Sequence, residues 1–371
     1  MKFWDSLKED LSMADRLMFV CALTLALWGV FCIYSAAAGT SGRGLDFALK
    51  QIAWLSFSVF AMLFIMIIGH HKMLEGAYPL YFLTLLLLLL TDLLAPKVNG
   101  AQSWLGVGGI RFQPSEFAKI TIILTMSKFL SRYPPFEFKT FMAGLGVIML
   151  PVILVVIQPD AGSALVYLVI SFGMLLAAGT PFKFLGGLIG LGLSAIPLMI
   201  IFVLKEYQKN RILVFLDPMR DPLGAGYNVI QSRIAVGSGG FTGKGFMLGT
   251  QSKLKFLPEP HTDFIFSVFS EEFGFVGNLI LILLFTLLLY RIILAGIRSR
   301  DRRSKILVSG VASWLWFQMF ESMGMSIGLT PVTGLPLPFL SYGGSSLLAT
   351  FIALGLVASV YIDGGNNKRG F

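Results

Sequence analysis

Acidic side chains stand where this chain turns apolar, and they are the groups that could do chemistry. In LPEPHTDFIFSVFSEEFG, residues 257–274, His261, Thr262 and Asp263 precede an apolar run, with Glu271 and Glu272 about two turns deeper. A charge in hydrocarbon costs several kcal/mol unless it is paired or wetted, so a scaffold avoids such placements and a site tolerates them. A carboxylate at the edge of a polar cavity can take the proton of an attacking hydroxyl. The residues alone leave plainer roles open: Asp263 could cap its helix, and one glutamate could be paired while the other faces a cavity.

Three further segments bring polar groups to the ends of apolar runs. In RFQPSEFAKI, from Arg111, Ser115 offers an N-cap, and Glu116 and Lys119 share a helix face at i and i+3. That pair either neutralises itself at a membrane boundary or braces a polar cavity. In IQPDAG, Asp160 lies in a very short connection and can cap the helix that follows. In GLTPVTGLPLPFLSYGGSS, Gly328 to Ser346, Pro331, Pro336 and Pro338 stop any helix, so this backbone must be wrapped by protein or water. The three histidines are too scattered for a zinc site, and no nucleotide loop or serine-nucleophile motif is present.

The elements that must position these groups are membrane helices. Of 371 residues, 56% are hydrophobic and 13% charged, and the mean hydropathy is +0.79. Apolar segments at 17–37, 52–69, 77–95, 116–130, 141–157, 162–179, 184–204, 264–294, 305–327 and 345–361 predict an all-α polytopic protein of about ten transmembrane helices. The first lacks a cleavage site and reads as a helix rather than a removed signal. Cys21 and Cys32 fall within it, about 16 Å apart, too far for a disulfide.

The cationic clusters, among them Arg298, Arg300, Arg302, Arg303 and Lys305, gather in the loops that share a side with both termini. This predicts cytoplasmic termini, 1–16 and 362–371, on a single membrane domain spanning 1–371. One long extracytoplasmic loop, 205–263, joins helices 7 and 8, and its interleaved apolar residues argue for order. Its SGGFTGKG stretch either offers backbone amides to an anion or simply punctuates the loop. The net charge of +9 lies mostly in short loops with no basic-aromatic module, which excludes a nucleic-acid partner.

The motifs FQPSE (112–116), QPD (158–160), DPLGAGYNVIQSRIAVGSGG (221–240), GTQS (249–252), LPEPHTDFIF (257–266) and PLPFLSYGGSS (336–346) run in order along nearly the whole chain. Together they closely resemble the SEDS (shape, elongation, division, sporulation) family, in its RodA rather than its FtsW branch. FtsW shares HTDF and SYGGS, but GTQS and IQSRIAVGSGG look like the elongation branch. The resemblance implies a ten-helix peptidoglycan glycosyltransferase of the bacterial cytoplasmic (inner) membrane. It would polymerise lipid II into glycan strands during cell elongation and rod-shape maintenance.

By the same resemblance, Asp263 would be the general base of an inverting transfer, and Glu116 and Lys119 would order the site. Substrate would meet Arg111, Gln113, Asp160, Arg211, Arg233, Lys244, Glu259, His261, Thr262 and Ser341. Arg111, Lys119, Arg211, Arg233 and Lys244 are the cations available to a departing diphosphate, and a divalent cation (magnesium or manganese) held by carboxylates would add to them. The metal's own ligands are not readable. The implied partners are lipid II, a polyprenyl-diphosphate-linked glycan strand, a class B penicillin-binding protein acting as transpeptidase, and other elongation-complex membrane proteins.

The chain departs from the family at one place. Where relatives carry Asn-Ile-Gly-Met, it has Ser322, Met323, Gly324 and Met325, preceded by Glu321, an ionisable group deep in the ninth span. Two other functions remain open. A lipid II flippase would also hold intramembrane charges and broken helices, but its interruptions would match between two halves, whereas here they gather on one side. A scaffold that only recruits the crosslinking partner would leave the polar segments unexplained.

Overall fold

The computed structural model describes residues 14–95, 103–107, 110–202, 209, 213–222, 224–257 and 259–366. In chain order the elements are α1 (Arg16–Ser41), α2 (Gly44–Ile68), the short α3 (His70–Glu75), α4 (Ala77–Leu94), and a hairpin of β1 (Leu105–Val107) and β2 (Ile110–Phe112). Next come α5 (Pro114–Arg132), α6 (Phe138–Ile157), α7 (Ala161–Ala177) and α8 (Phe182–Phe202). The loop region holds α9 (Ala225–Ser238) and α10 (Thr250–Lys253), and the chain closes with α11 (Ile265–Arg298), α12 (Arg302–Ile327) and α13 (Gly344–Asn366). Each of the ten apolar segments expected from the sequence is one of the long helices.

Six of them, α1, α2, α4, α6, α11 and α13, are long and apolar enough to cross a membrane, and this is a multi-pass membrane protein. Large apolar side chains such as Phe31, Phe57, Phe60, Leu83 and Leu191 face outward, as lipid contact requires. Buried charged side chains sit on α5 (Glu116 and Lys119), α11 (Glu271 and Glu272) and α12 (Glu321). α12 packs on α5, α7 and α11, and α5 on α4 and α7, so polar side chains face one another inside the bundle.

Local chemistry sets several helix ends. Asp15 caps α1 by accepting from Met18 N and pairs with Arg291 of α11 at 2.6 Å. α5 begins at Pro114 with Gln113 as N-cap. The cap expected at Ser115 therefore falls inside the first turn, because proline with its preset φ takes the N1 position.

α11 is broken at Gly274, whose φ of 64° and ψ of −162° are not helical. A Cβ there would stand 2.2 Å from Gly243 N, so only glycine admits the close approach of the loop. That loop supplies the bonds the helix loses. Lys244 N and Gly245 N donate to the carbonyls of Glu271 and Glu272 (3.0 Å each), while Phe275 N and Val276 N donate to those of Gly240 and Phe241 (2.9 and 3.1 Å). In SGGFTGKG, the amides of Lys244 and Gly245 are thus committed to the kink, neither presented to an anion nor idle in a turn.

The segment 328–343, between α12 and α13, is non-helical and packed among helices, with Leu335, Leu337, Phe339 and Leu340 buried. Protein surrounds irregular backbone at this depth, as its prolines demanded.

Candidate active site

The turn ahead of α11 and the 328–343 strap are tied together. Tyr342 N donates to His261 O (2.9 Å), and Ser341 Oγ donates to Thr262 O (2.7 Å) while accepting from Leu337 N (2.8 Å). Ser341 is therefore a lock between two segments. From α2, Gln51 reaches the same place, its Nε2 donating to Ser341 O (3.4 Å) and its Oε1 accepting from Gly343 N (3.5 Å). His261 packs against Phe47 with the rings tilted by 58°, and its Nδ1 is buried without a hydrogen-bond partner. Burial pushes its pKa down against the pull of Glu259, which keeps the ring neutral at neutral pH.

Asp263 follows, half-buried, and the N-cap of α11 is Phe264 rather than Asp263. Gly334 of the strap has a φ of 74°, and a Cβ there would lie 3.5 Å from Asp263 Oδ2. Glu321 of α12 feels the charge of Asp263. Its Oε1 accepts from Thr333 Oγ1, the residue before Gly334, at 2.5 Å. A carboxyl from the turn before α11 and one from α12 thus meet at consecutive strap residues.

Behind them lies a buried network. Lys119 Nζ bonds Glu116 Oε1 at 2.7 Å and Gln318 Oε1 at 3.2 Å, and stands 4.7 Å from the Trp314 ring centre. Gln318 Nε2 donates to Pro336 O at 2.8 Å. Lys119 is 0% and Glu116 1% exposed, so the pair braces the strap rather than neutralising itself at a boundary. Asp160 accepts from Ser163 N (3.0 Å) and Ser163 Oγ (2.8 Å), capping α7, and also feels Lys119 and Glu116. Burial raises its pKa, ahead of the Ser163 bonds that lower it. Gln113 N donates to Ser345 Oγ (3.3 Å), joining the start of α5 to that of α13.

The other expected substrate residues lie apart or outside these contacts. Arg233, on α9, donates from Nη2 to Gly328 O at 3.1 Å, beside the first residue of the strap. Lys244 pairs with Glu271 at 2.6 Å, one of several donors on that carboxylate. Glu259 shapes the turn through its carbonyl, which accepts from Thr262 N (3.3 Å). Arg111 pairs with Gly106 in the hairpin, and its side chain, like all of Arg211, lies outside the described residues.

Next to the kink, Thr24, Leu27, Trp28, Phe31, Phe246 and Phe273 line an open apolar groove of roughly 490 Å³. Among the described residues, one set of three side chains could hold a metal ion, His70, His71 and Asp301. It lies at the opposite end of the helices, and both ring nitrogens of His70 already bond serine hydroxyls.

A family description of FtsW, RodA and SpoVE, the cell cycle proteins, matches residues 15–364. The chain belongs to this family. It is 38% identical to the peptidoglycan glycosyltransferase MrdB of Escherichia coli K12 over 97% of this chain and 95% of that one. A chain from a structure described as "Structural coordination of polymerization and crosslinking by a peptidoglycan synthase complex" superposes with a TM-score of 0.80 at 34% identity, covering 95% of this chain and 98% of that one. The rod shape determining protein RodA of Thermus thermophilus superposes at 0.71 with 29% identity over 94% of this chain and 97% of that one.

For this family member, residue reasoning missed Gln51, Gln318 and Thr333 and gave Glu321 no role. The amides carried a signal, since a lone glutamine in an apolar helix needs a partner. Thr333 carried none, because its partner is distant in sequence.

Proposed function

We propose that the protein is a peptidoglycan glycosyltransferase, a lipid II polymerase serving cell elongation and rod-shape maintenance, with Asp263 as general base. The acceptor sugar hydroxyl attacks the anomeric carbon of the strand held on polyprenyl diphosphate. The new C–O bond forms as the bond to the diphosphate breaks, configuration inverts, and the hydroxyl proton passes to the Asp263 carboxylate. The observation that carries this reading is Asp263 itself: half-buried, displaced from the helix cap, and held between the His261–Thr262 turn and the strap.

Arg233, Arg111, Arg211 and Lys244 are the cations proposed for the departing diphosphate, and a magnesium or manganese ion, if held by carboxylates there, would supply further positive charge. The groove beside Trp28 and Phe273 suits a polyprenyl chain, since it is apolar and opens toward lipid. The elongation role is supported by likeness to MrdB and to the Thermus RodA structure. A class B penicillin-binding protein as partner is supported by the synthase complex that holds a similar chain. The loop charges support our reading of an inner-membrane protein with both termini cytoplasmic.

The test is glycan polymerisation from purified lipid II by the reconstituted protein with its partner, comparing native chain and Asp263→Asn. Polymer from the native chain alone supports the base. Polymer from both overturns it, and lipid II crossing vesicle membranes without polymer would favour a flippase.

A further inference from the structure

Glu321 is an acidic side chain near Asp263 that the proposed reaction does not use. It is 2% exposed. Its Oε1 holds the Thr333 hydroxyl, and its own carbonyl accepts from Thr330 Oγ1 (3.1 Å). One residue therefore grips both ends of the turn Thr330–Thr333, and the next residue, Gly334, is the one against Asp263 Oδ2. Its Oε2 is buried with no hydrogen-bond partner. A buried oxygen left so is costly in a scaffold and tolerated in a site.

The charges around it are few. Asp263 is the charged group acting on Glu321. On the same face of α12, one turn back, Gln318 carries the contact to Lys119, whose ammonium is engaged by Glu116. Arg233, on α9, is engaged with Gly328 O.

The geometry points to Glu321 as the positioning residue of the base: through Thr333 it holds the strap against Asp263. This rests on the reading of Asp263 as base. Releasing the strap misplaces the base relative to the acceptor, which costs turnover more than affinity.

The experiment measures lipid II polymerisation against substrate concentration for the reconstituted native protein with its partner, and for Glu321→Leu, Glu321→Gln, Thr333→Val, the double variant Glu321→Leu with Thr333→Val, and Asp263→Asn. Glu321→Leu is expected to lower kcat about tenfold with KM within about twofold, while Glu321→Gln, whose amide oxygen still accepts from Thr333 Oγ1, keeps most of the rate. Thr333→Val should lower kcat in the same direction, and the double variant should be no slower than Glu321→Leu. Native kcat in Glu321→Leu, with Asp263→Asn inactive, would overturn the inference and leave the base standing. Activity in Asp263→Asn would remove the base itself. Should Glu321→Leu fail to fold, native kcat in Thr333→Val would overturn the strap coupling on its own.

Discussion

The two carboxylate centres of α11 and its neighbours are built on opposite plans. At the kink, Glu271 is 0% exposed and accepts from Thr250 N (2.8 Å), Gln251 N (3.2 Å), Thr250 Oγ1 (3.0 Å) and Lys244 Nζ (2.6 Å), while its neighbour Glu272 takes Met247 N (3.2 Å) and the Ser35 hydroxyl on Oε1 and leaves Oε2 without a partner, so the contrast lies between Glu271 and Glu321. At the strap, Glu321 has one hydroxyl, an orphaned oxygen and another carboxylate for company. A buried carboxylate surrounded by donors is architecture, since its charge is already matched. One left short of donors beside a second carboxylate is kept for a ligand or a proton.

The sharpest way to break this contrast is at the strap. Asp263→Asn keeps shape and removes basicity, so polymerisation should fall about a thousandfold while the melting temperature in detergent stays close to native. A comparable loss of stability would make Asp263 architectural and erase the distinction.

At the kink the expected effects reverse. Glu271→Gln sets an amide against donors it cannot all satisfy and leaves Lys244 without its partner, at a cost of about 3 kcal/mol in stability. Gly274→Ala should cost at least as much, since its Cβ would collide with Gly243 N. Thermal unfolding, with proteolysis of the 238–251 loop as a local readout, checks both. Native melting in Glu271→Gln would show that donors can be withdrawn there as freely as at the strap.

The ten helices were legible because lipid imposes length and hydropathy on each one. Asp263, Glu116 and Lys119 were legible because charge beside an apolar run is rare. Legibility failed where the signal is a long-range bond: nothing local to Thr333 announces Glu321, and nothing in Gly243 announces the broken turn at Gly274. The glycines of SGGFTGKG were visible, but their purpose depends on a helix that begins some twenty residues later. The departure at Glu321 was readable as an anomaly, and its meaning needed the third dimension.

The opposite end of the bundle supplies a control with matched donors. Ser359 Oγ accepts from His70 N, so its hydroxyl faces His70 Nδ1 (2.9 Å each); the proton is then on Nε2, which donates to Ser304 Oγ (2.9 Å). Burial pushes the pKa of His70 down to about 4 from 6.5, with the neighbouring His71 adding to the shift. The folded pKa lies below the unfolded one, so the unfolded chain takes the proton first as pH falls. Stability contributed by neutral His70 is full above pH 6.5 and is lost toward pH 4, by about 2 kcal/mol between pH 7 and pH 5. A smaller drop over that interval in His70→Asn than in the native chain, read from melting temperatures, is the expected result.

The smallest effect belongs to the adjacent residue. His71 Nε2 lies 3.3 Å from Asp363 Oδ2 with the two side chains 51% and 41% exposed, so water screens the pair and competes for both partners. His71→Asn should change stability by less than about 0.5 kcal/mol at any pH between 5 and 8. A larger loss would mean that exposure is a poor guide at this end of the molecule. The division of buried acids into matched and unmatched would then need measured bonds at each position, because adjacent histidines in one short helix would carry equal weight despite unequal burial.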